Sequence, residues 1–265
     1  MKIGITGIRG KMAKALAFEV ISNNLFDISG ALVREGYDEV GQDIGDFLGL
    51  DKTNSLITDN LEKLFDDADA VIDFSSPELT MRCAEVCARK GKILISGTTG
   101  LTNDEKEKLG QLTQNCIIVY SENMSIGANL LLNLVEESAS LLRNDYDTEI
   151  LEMHNRNKKD APSETALMLG QAIAKGKNFS EISKKVRDGI VNKREVNEIG
   201  FAVLRCGDVV SEHTVIFAGM GERIELSHKA TSKLIFVHGA IRAAIWAFEK
   251  ENGFYNMQDI LRIKR

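Results

Sequence analysis

A chain of 265 residues with 43% hydrophobic and 27% charged residues has the composition of a soluble globular protein, large enough for one big core or two smaller ones. Its net charge of -6 speaks against nucleic acid or an anionic membrane as partner, and no apolar run approaches the roughly 20 residues that span a bilayer. The first residues enter a strand pattern at once instead of a signal peptide, so a cytoplasmic location is expected.

In chain order, the first half alternates strand with helix, the pattern of a parallel sheet wound on both faces. Apolar runs at Lys2 to Thr6, Ile28 to Val33, Ala70 to Phe74, Lys92 to Ser96 and Cys116 to Tyr120 read as strands. Helical segments fall at Lys11 to Ile21, Pro77 to Lys90 and Asn103 to Gln114, with Pro77 in a first turn and Ser75 or Ser76 as its cap. The opening K-I-G-I-T-G-I-R-G-K-M-A puts Gly7 and Gly10 between a strand and a helix. Glycines there allow a tight turn and close approach of a pyrophosphate to backbone N–H groups, and Ala13 lets the helix pack closely on the strand. The second strand ends at Val33-Arg34, where an acid would bind a ribose 2′-hydroxyl and an arginine accommodates a 2′-phosphate. NADPH is therefore the expected cofactor, with NADH as the alternative if Arg34 only stacks on adenine. S-G-T-T-G from Ser96 to Gly100 follows the fourth strand, at the carboxyl edge where such sheets bind ligands. Thr98 and Thr99 there either meet nicotinamide and substrate or simply turn the chain before the helix at Asn103.

After Gly127 the pattern becomes a long helix, a strand, a loop, a second helix and three strand-like runs, Asn197 to Cys206, Val209 to Ala218 and Glu222 to His228. The G-D and G-M-G steps between these runs read as hairpin turns in an antiparallel or mixed sheet. The loop E-M-H-N-R-N-K-K-D-A-P-S-E-T-A, Glu152 to Ala166, is the densest in chemistry. His154 and Lys158 form a candidate acid-base pair, and Arg156, Lys158 and Lys159 make a basic patch in an acidic chain. A helix starting near Pro162, with Ser163 and Thr165 as capping and hydroxyl donors, would turn its first N–H groups to an anion. The plain alternative is a structural histidine followed by a solvated turn. From Thr231 to Lys250 an apolar helix carries the single tryptophan, Trp246, and can cap either domain. Cys83, Cys87, Cys116 and Cys206 lack paired C-x-x-C spacing, so Cys83 and Cys87 read as small buried residues and no metal is expected.

These motifs together resemble the 4-hydroxy-tetrahydrodipicolinate reductase (dihydrodipicolinate reductase) family of bacterial lysine and diaminopimelate biosynthesis. The likeness runs through G-I-R-G-K-M, D-F-S-S-P-E at Asp73, G-T-T-G at Gly97, S-E-N-M-S-I-G at Ser121 and the Glu152 to Ala166 loop. It continues through G-D-V-V-S-E-H-T-V at Gly207, G-E-R-I-E at Gly221 and S-H-K-A at Ser227. It implies a Rossmann-like doubly wound parallel-sheet domain over 1–125, completed by 229–265, and a central α+β domain with a mixed or antiparallel sheet over 126–228 that binds substrate and builds a homotetramer. The implied cofactor contacts are Gly7, Ile8, Arg9, Gly10, Lys11 and Met12, then Arg34, then Gly97, Thr98 and Thr99, then Ser121, Glu122, Asn123 and Met124. His154 and Lys158 fall on the acid-base positions, and Asn155, Ser163, Glu164 and Thr165 fall along the substrate side. The implied reaction is hydride reduction of a cyclic conjugated imine carrying two carboxylates. Three positions depart from the family pattern. Asn155 replaces a second histidine and brings no charge, Glu164 replaces a glycine in the turn that grips a carboxylate, and Val33 replaces an acid. The Glu164 side chain is expected to face solvent, because Ser163, Thr165 and the helix N-terminus remain suited to an anion; in the alternative it enters the site and repels the dianion. Two other readings stand beside this one: a different two-domain reductase acting on an aldehyde or hydroxy acid, and a nucleotide-binding sensor that has lost catalysis.

Overall fold

The computed structural model describes residues 1–179, 183–185, 187, 189, 193–195 and 197–261. The chain forms two compact units, Met1–Ser125 with Leu234–Arg265, and Ile126–Lys233. In chain order, the first unit opens with β1 (Lys2–Ile5), α1 (Lys11–Ile21), β2 (Asp27–Leu32), α2 (Ile44–Leu48), β3 (Ile57–Thr58) and α3 (Leu61–Asp67). It continues with β4 (Ala70–Asp73), α4 (Pro77–Lys90), β5 (Ile93–Ser96), α5 (Asn103–Gln111) and β6 (Ile117–Tyr120). The second unit comprises α6 (Ile126–Leu142), β7 (Asp147–His154), α7 (Glu164–Lys177), β8 (Ser183–Lys185), β9 (Glu198–Arg205), β10 (Ser211–Ala218) and β11 (Arg223–Ala230). The chain then returns to the first unit with α8 (Leu234–Ala247), β12 (Gly253–Tyr255) and α9 (Met257–Ile260). Among the described residues no helix is long and apolar enough to cross a membrane.

The first unit is a seven-stranded sheet in the order β12-β6-β5-β4-β1-β2-β3. Every strand pair in it is parallel. The central strands are apolar on both faces, and β4, β5 and β6 are buried along their whole length, as helices on both sides require. On one face α4 contributes Cys83, Ala84 and Cys87, which lie as free thiols and a methyl in a core with Leu64, Phe65 and Leu94. On the other, α8 packs against α1 and β5. α4 is delimited as its sequence dictates: Ser76 caps the Leu79 N–H, Pro77 occupies the first turn, and Gly91 closes the helix in the left-handed region at φ 62°. Strand order reverses between β1 and β4, which makes the carboxyl ends of these two strands the switch point where doubly wound sheets bind ligands.

The second unit is a five-stranded mixed sheet in the order β11-β10-β7-β9-β8. β7 sits at its centre, antiparallel to β10 and parallel to β9. This corrects the expectation of a hairpin at Gly207-Asp208: β9 and β10 do not pair, because β7 lies between them and pairs with both. The G-M-G step is a true hairpin turn between β10 and β11, closed by the Gly219 N–H on the Glu222 carbonyl at 2.9 Å. β11 pairs with β10 as far as Ala230, so the second unit extends to Lys233 instead of ending at 228. The start of α7 is also later than expected. Ser163 is the cap, its side chain accepting from the Ala166 N–H, and Pro162 precedes the helix in a cis peptide bond.

Gly239 shows how tightly α8 is seated. A Cβ there would lie 1.8 Å from the Met124 carbonyl oxygen, a backbone atom that cannot swing aside. Gly239→Ala should therefore cost about 1–3 kcal/mol by overpacking and lower the melting temperature by several degrees, measured by calorimetry. An unchanged melt would show that the S-E-N-M segment yields to α8.

Candidate active site

In the first unit β1 passes into α1 through a tight turn at Gly7. Gly7 is at φ 64°, the left-handed region that favours glycine, and its carbonyl accepts from the Gly10 N–H at 2.8 Å. α1 starts at Gly10 with no side-chain cap and no acid in its first turn, which suits an anion at that end. Ile8 is buried and gives its N–H to the Leu32 carbonyl at 3.2 Å, so its side chain shapes the turn from inside and its N–H is committed within the protein. The Arg9 guanidinium stacks 4.2 Å over the Tyr37 ring, with its Nε 3.4 Å from Glu39. Lys11 is exposed and Met12 half-buried. Val33 is buried, its N–H on the Thr58 carbonyl at 2.9 Å, while Arg34 beyond it is exposed.

The two other loops at this edge differ in how far their side chains are committed. Gly97 donates to the Asp73 carbonyl at 2.9 Å. Thr98 is buried, its hydroxyl donating to Asp73 Oδ2 at 3.0 Å and accepting from the Ser75 N–H at 3.0 Å. Thr99 is exposed. Of the two threonines, only Thr99 presents its side chain outward. In the next loop, the Ser121 hydroxyl holds the Asn123 carbonyl at 2.9 Å, and Asn123 Oδ1 accepts from the Ser125 N–H at 2.9 Å. Glu122 turns to Lys106 at 2.7 Å, and Met124 is buried.

In the second unit the core face of the sheet changes character along β7. Thr148 and Ile150 lie in the apolar core, whereas Glu152 and His154, two and four positions on, are polar and equally buried. Register brings His213 of β10 opposite Glu152, and Arg205 of β9 opposite His154. Glu152 accepts the Ser163 N–H on both oxygens, at 3.1 and 3.0 Å, and Arg205 Nη2 on Oε1 at 2.9 Å. Its Oε2 lies 3.7 Å from His154 Nε2 and 3.6 Å from His213 Nε2. Burial by itself would raise the Glu152 carboxyl, but His213, Ser163 and Arg205 outweigh it and hold the group at about 2. The sequence reading gave none of Glu152, Arg205 and His213 a role, and the only signal available was three polar residues on inward positions of alternating strands.

His154 is held through one ring nitrogen. Its Nδ1 meets the Val210 carbonyl at 3.1 Å, which fixes the proton on that nitrogen in the neutral ring, and Nε2 is buried with no hydrogen bond. Burial lowers its pKa below the usual imidazole value and the nearby His213 adds to this, while Glu152 pulls the other way. Lys158 is paired with Asp160 at 2.9 Å, and Asn155 folds the intervening turn, its Oδ1 accepting from the Asn157 N–H at 3.0 Å. Arg205 also donates to the Asp160 carbonyl, tying the loop to the sheet. Arg156 and Lys159 are exposed, as is Glu164 in the first turn of α7, and Thr165 is half-buried beside it.

Removing the Arg205 charge would leave Glu152 buried and under-compensated, so Arg205→Met should cost about 3 kcal/mol at neutral pH by chemical denaturation. Glu152 is depressed from 4.5 to about 2, so its contribution is complete above 4.5 and is lost as pH falls toward 2. The deficit of the variant should shrink through that window. A deficit independent of pH would mean that Arg205 acts by packing alone.

Two family models match the chain: "Dihydrodipicolinate reductase, N-terminus" over residues 1–124 and "Dihydrodipicolinate reductase, C-terminus" over residues 127–261. The chain is 44% identical over 265 residues to a 4-hydroxy-tetrahydrodipicolinate reductase of Hahella chejuensis, covering 99% of each chain. It is 42% identical over 266 residues to that of Roseobacter denitrificans, covering 100% of this chain and 98% of the relative. Among solved structures it is similar to a dipicolinate-bound dihydrodipicolinate reductase of Paenisporosarcina sp. TG-14, with TM-score 0.77 at 23% identity over 100% of this chain and 99% of that one. An amine dehydrogenase of Mycobacterium smegmatis has the same fold at TM-score 0.69 and 12% identity, over 100% and 96% of the two chains.

Proposed function

The chain belongs to the dihydrodipicolinate reductase family, and from that premise we propose how its two units divide the reduction of 4-hydroxy-tetrahydrodipicolinate between them. It is a pyridine-nucleotide-dependent oxidoreductase of lysine and diaminopimelate biosynthesis. In the proposed division the first unit holds the nucleotide through the Gly7 turn, Arg34, Thr99 and the Ser121 to Met124 loop. The second holds the dicarboxylate between Lys158 and the start of α7. NADPH is the nucleotide favoured by an exposed Arg34 with no acid at Val33. Arg34→Ala should raise the Michaelis constant for NADPH much more than that for NADH, because only NADPH brings the 2′-phosphate. Equal loss for both would make Arg34 an adenine-stacking residue.

The observation that carries the reading is the Glu152 to Ala166 stretch, where a buried imidazole, a lysine and a helix N-terminus occur within one loop. The nicotinamide supplies the hydride. Hydride addition leaves an electron-rich atom that must be protonated, and His154 is the residue we assign to that proton. Lys158, the one cation of the loop that is largely shielded from solvent, balances the developing charge and a carboxylate. Ser163 commits both its N–H and its hydroxyl inside the protein, so its part is to fix the helix start, leaving Thr165 to meet the carboxylate. Asn155 shapes the turn, and Glu164, exposed, keeps its charge away from the dianion. Apolar Leu151, Met153 and Leu204 lie on the sheet face turned from α6 and α7, and assembly into a homotetramer would cover them. The acidic chain has the character of a cytoplasmic protein with neither nucleic acid nor membrane as partner.

His154 starts below its ordinary pKa, so in the free protein it is neutral at pH 7, and a dianion placed beside it favours the protonated ring. Binding of dipicolinate should therefore take up protons near neutral pH, seen by calorimetry in buffers of different ionisation enthalpy. His154→Gln should abolish that uptake and lower turnover on the order of a hundredfold or more, with NADPH binding intact. Wild-type turnover in the variant would remove His154 from the proton's path. A wild-type protein that binds NADPH and turns nothing over would be a sensor.

A further inference from the structure

Asp73, the last residue of β4, is fully buried, and five hydroxyl groups donate to its carboxylate. Thr6 and Ser75 reach Oδ1, while Thr80, Ser96 and Thr98 reach Oδ2, the last two at 3.1 and 3.0 Å. A carboxylate only accepts, at about four lone-pair directions. Its acceptor capacity is therefore filled, and by neutral groups that would otherwise compete for other partners. The donors come from separate parts of the carboxyl edge. Thr6 follows β1 and immediately precedes Gly7, Ser75 leads into α4, Thr80 lies within α4, and Ser96 and Thr98 flank Gly97 beyond β5. β1 and β4 are the two strands between which the order reverses.

We infer that Asp73 is a positioning residue for the nucleotide: one buried carboxylate fixes the Gly7 turn and the Gly97 to Gly100 loop relative to each other across the switch point. Asp73 itself touches no ligand in this arrangement. It acts by fixing Thr6 and Thr98, whose neighbours Gly7 and Thr99 are the residues assigned above to the nucleotide, so the inference rests on that assignment. Asparagine at 73 would turn an N–H₂ donor on two or three hydroxyl donors, and each hydroxyl would have to rotate away or lose its partner. The loops would then be free to shift independently.

The test measures NADPH binding by fluorescence, both Michaelis constants and the melting temperature for four variants of the full chain. Asp73→Asn removes the hub, while Thr80→Val removes one spoke on α4 at nearly constant volume. Thr80→Ser keeps that hydroxyl, and Gly7→Ala disturbs the nucleotide turn directly at its left-handed backbone. The loss of a buried hydrogen bond with one group left unpaired predicts roughly tenfold weaker NADPH binding in Asp73→Asn, while removal of one of five donors in Thr80→Val predicts a smaller loss, about twofold. Thr80→Ser should bind as wild type does, and the Michaelis constant for the dicarboxylate should not move in any of them. If Asp73→Asn and Thr80→Val melt lower yet bind NADPH normally while Gly7→Ala does not, Asp73 is merely structural and the inference is overturned. If Gly7→Ala also binds normally, the nucleotide assignment has failed and the inference falls with it.

Discussion

A carboxylate taken out of water must be given donors, and each unit of this protein places one at the carboxyl end of a central strand. In the second unit that group is Glu152, and the surrounding site is organised by the requirement to satisfy it. Its oxygens draw in the Ser163 N–H, which fixes where α7 begins, and the Arg205 guanidinium, which reaches on to the Asp160 carbonyl and holds the loop. His154 and His213 both face the same Oε2, and their rings meet edge to face with centroids 5.2 Å apart. The imidazole assigned to proton transfer thus sits between burial and His213, which lower its pKa, and Glu152, which raises it.

The two buried carboxylates solve the same problem with different chemistry. Asp73 is solvated by hydroxyls alone, which bring no formal charge. Glu152 is met by an arginine, a backbone N–H and two imidazoles. The first arrangement suits a fixed frame around a bound nucleotide. The second suits the proton transfer assigned to His154, because an imidazole, unlike a hydroxyl, can change its charge near neutral pH.

What was legible in the sequence was what local chemistry decides. The Gly7 turn, the Ser76-Pro77 start of α4 and the clustering of His154 and Lys158 depend on residues a few positions apart. The Ser163 cap of α7 was legible in the same way, but Pro162 stays outside the helix, and the hold of Glu152 and His213 on Ser163 from other strands was not. The insertion of β7 between β9 and β10 is a long-range pairing, and turn residues at Gly207 and Asp208 cannot report it. The same distance hid Glu152, Arg205 and His213, whose partnership exists only in the register of three strands. Asp73 was visible as a motif residue, but its donors are scattered from Thr6 to Thr98 and no spacing rule connects them.

The return of the chain after Lys233 has a consequence for how the protein is made. α8 buries Val237, Ala240, Ile241 and Ala244 against the first unit, and β12 adds the last strand beside β6. The second unit is contiguous and can complete its core as soon as it leaves the ribosome. The first unit, although synthesised earlier, keeps an uncovered sheet face and an unpaired edge until the final segment emerges. The half that opens the chain is therefore the half that waits for the last segment to complete its sheet.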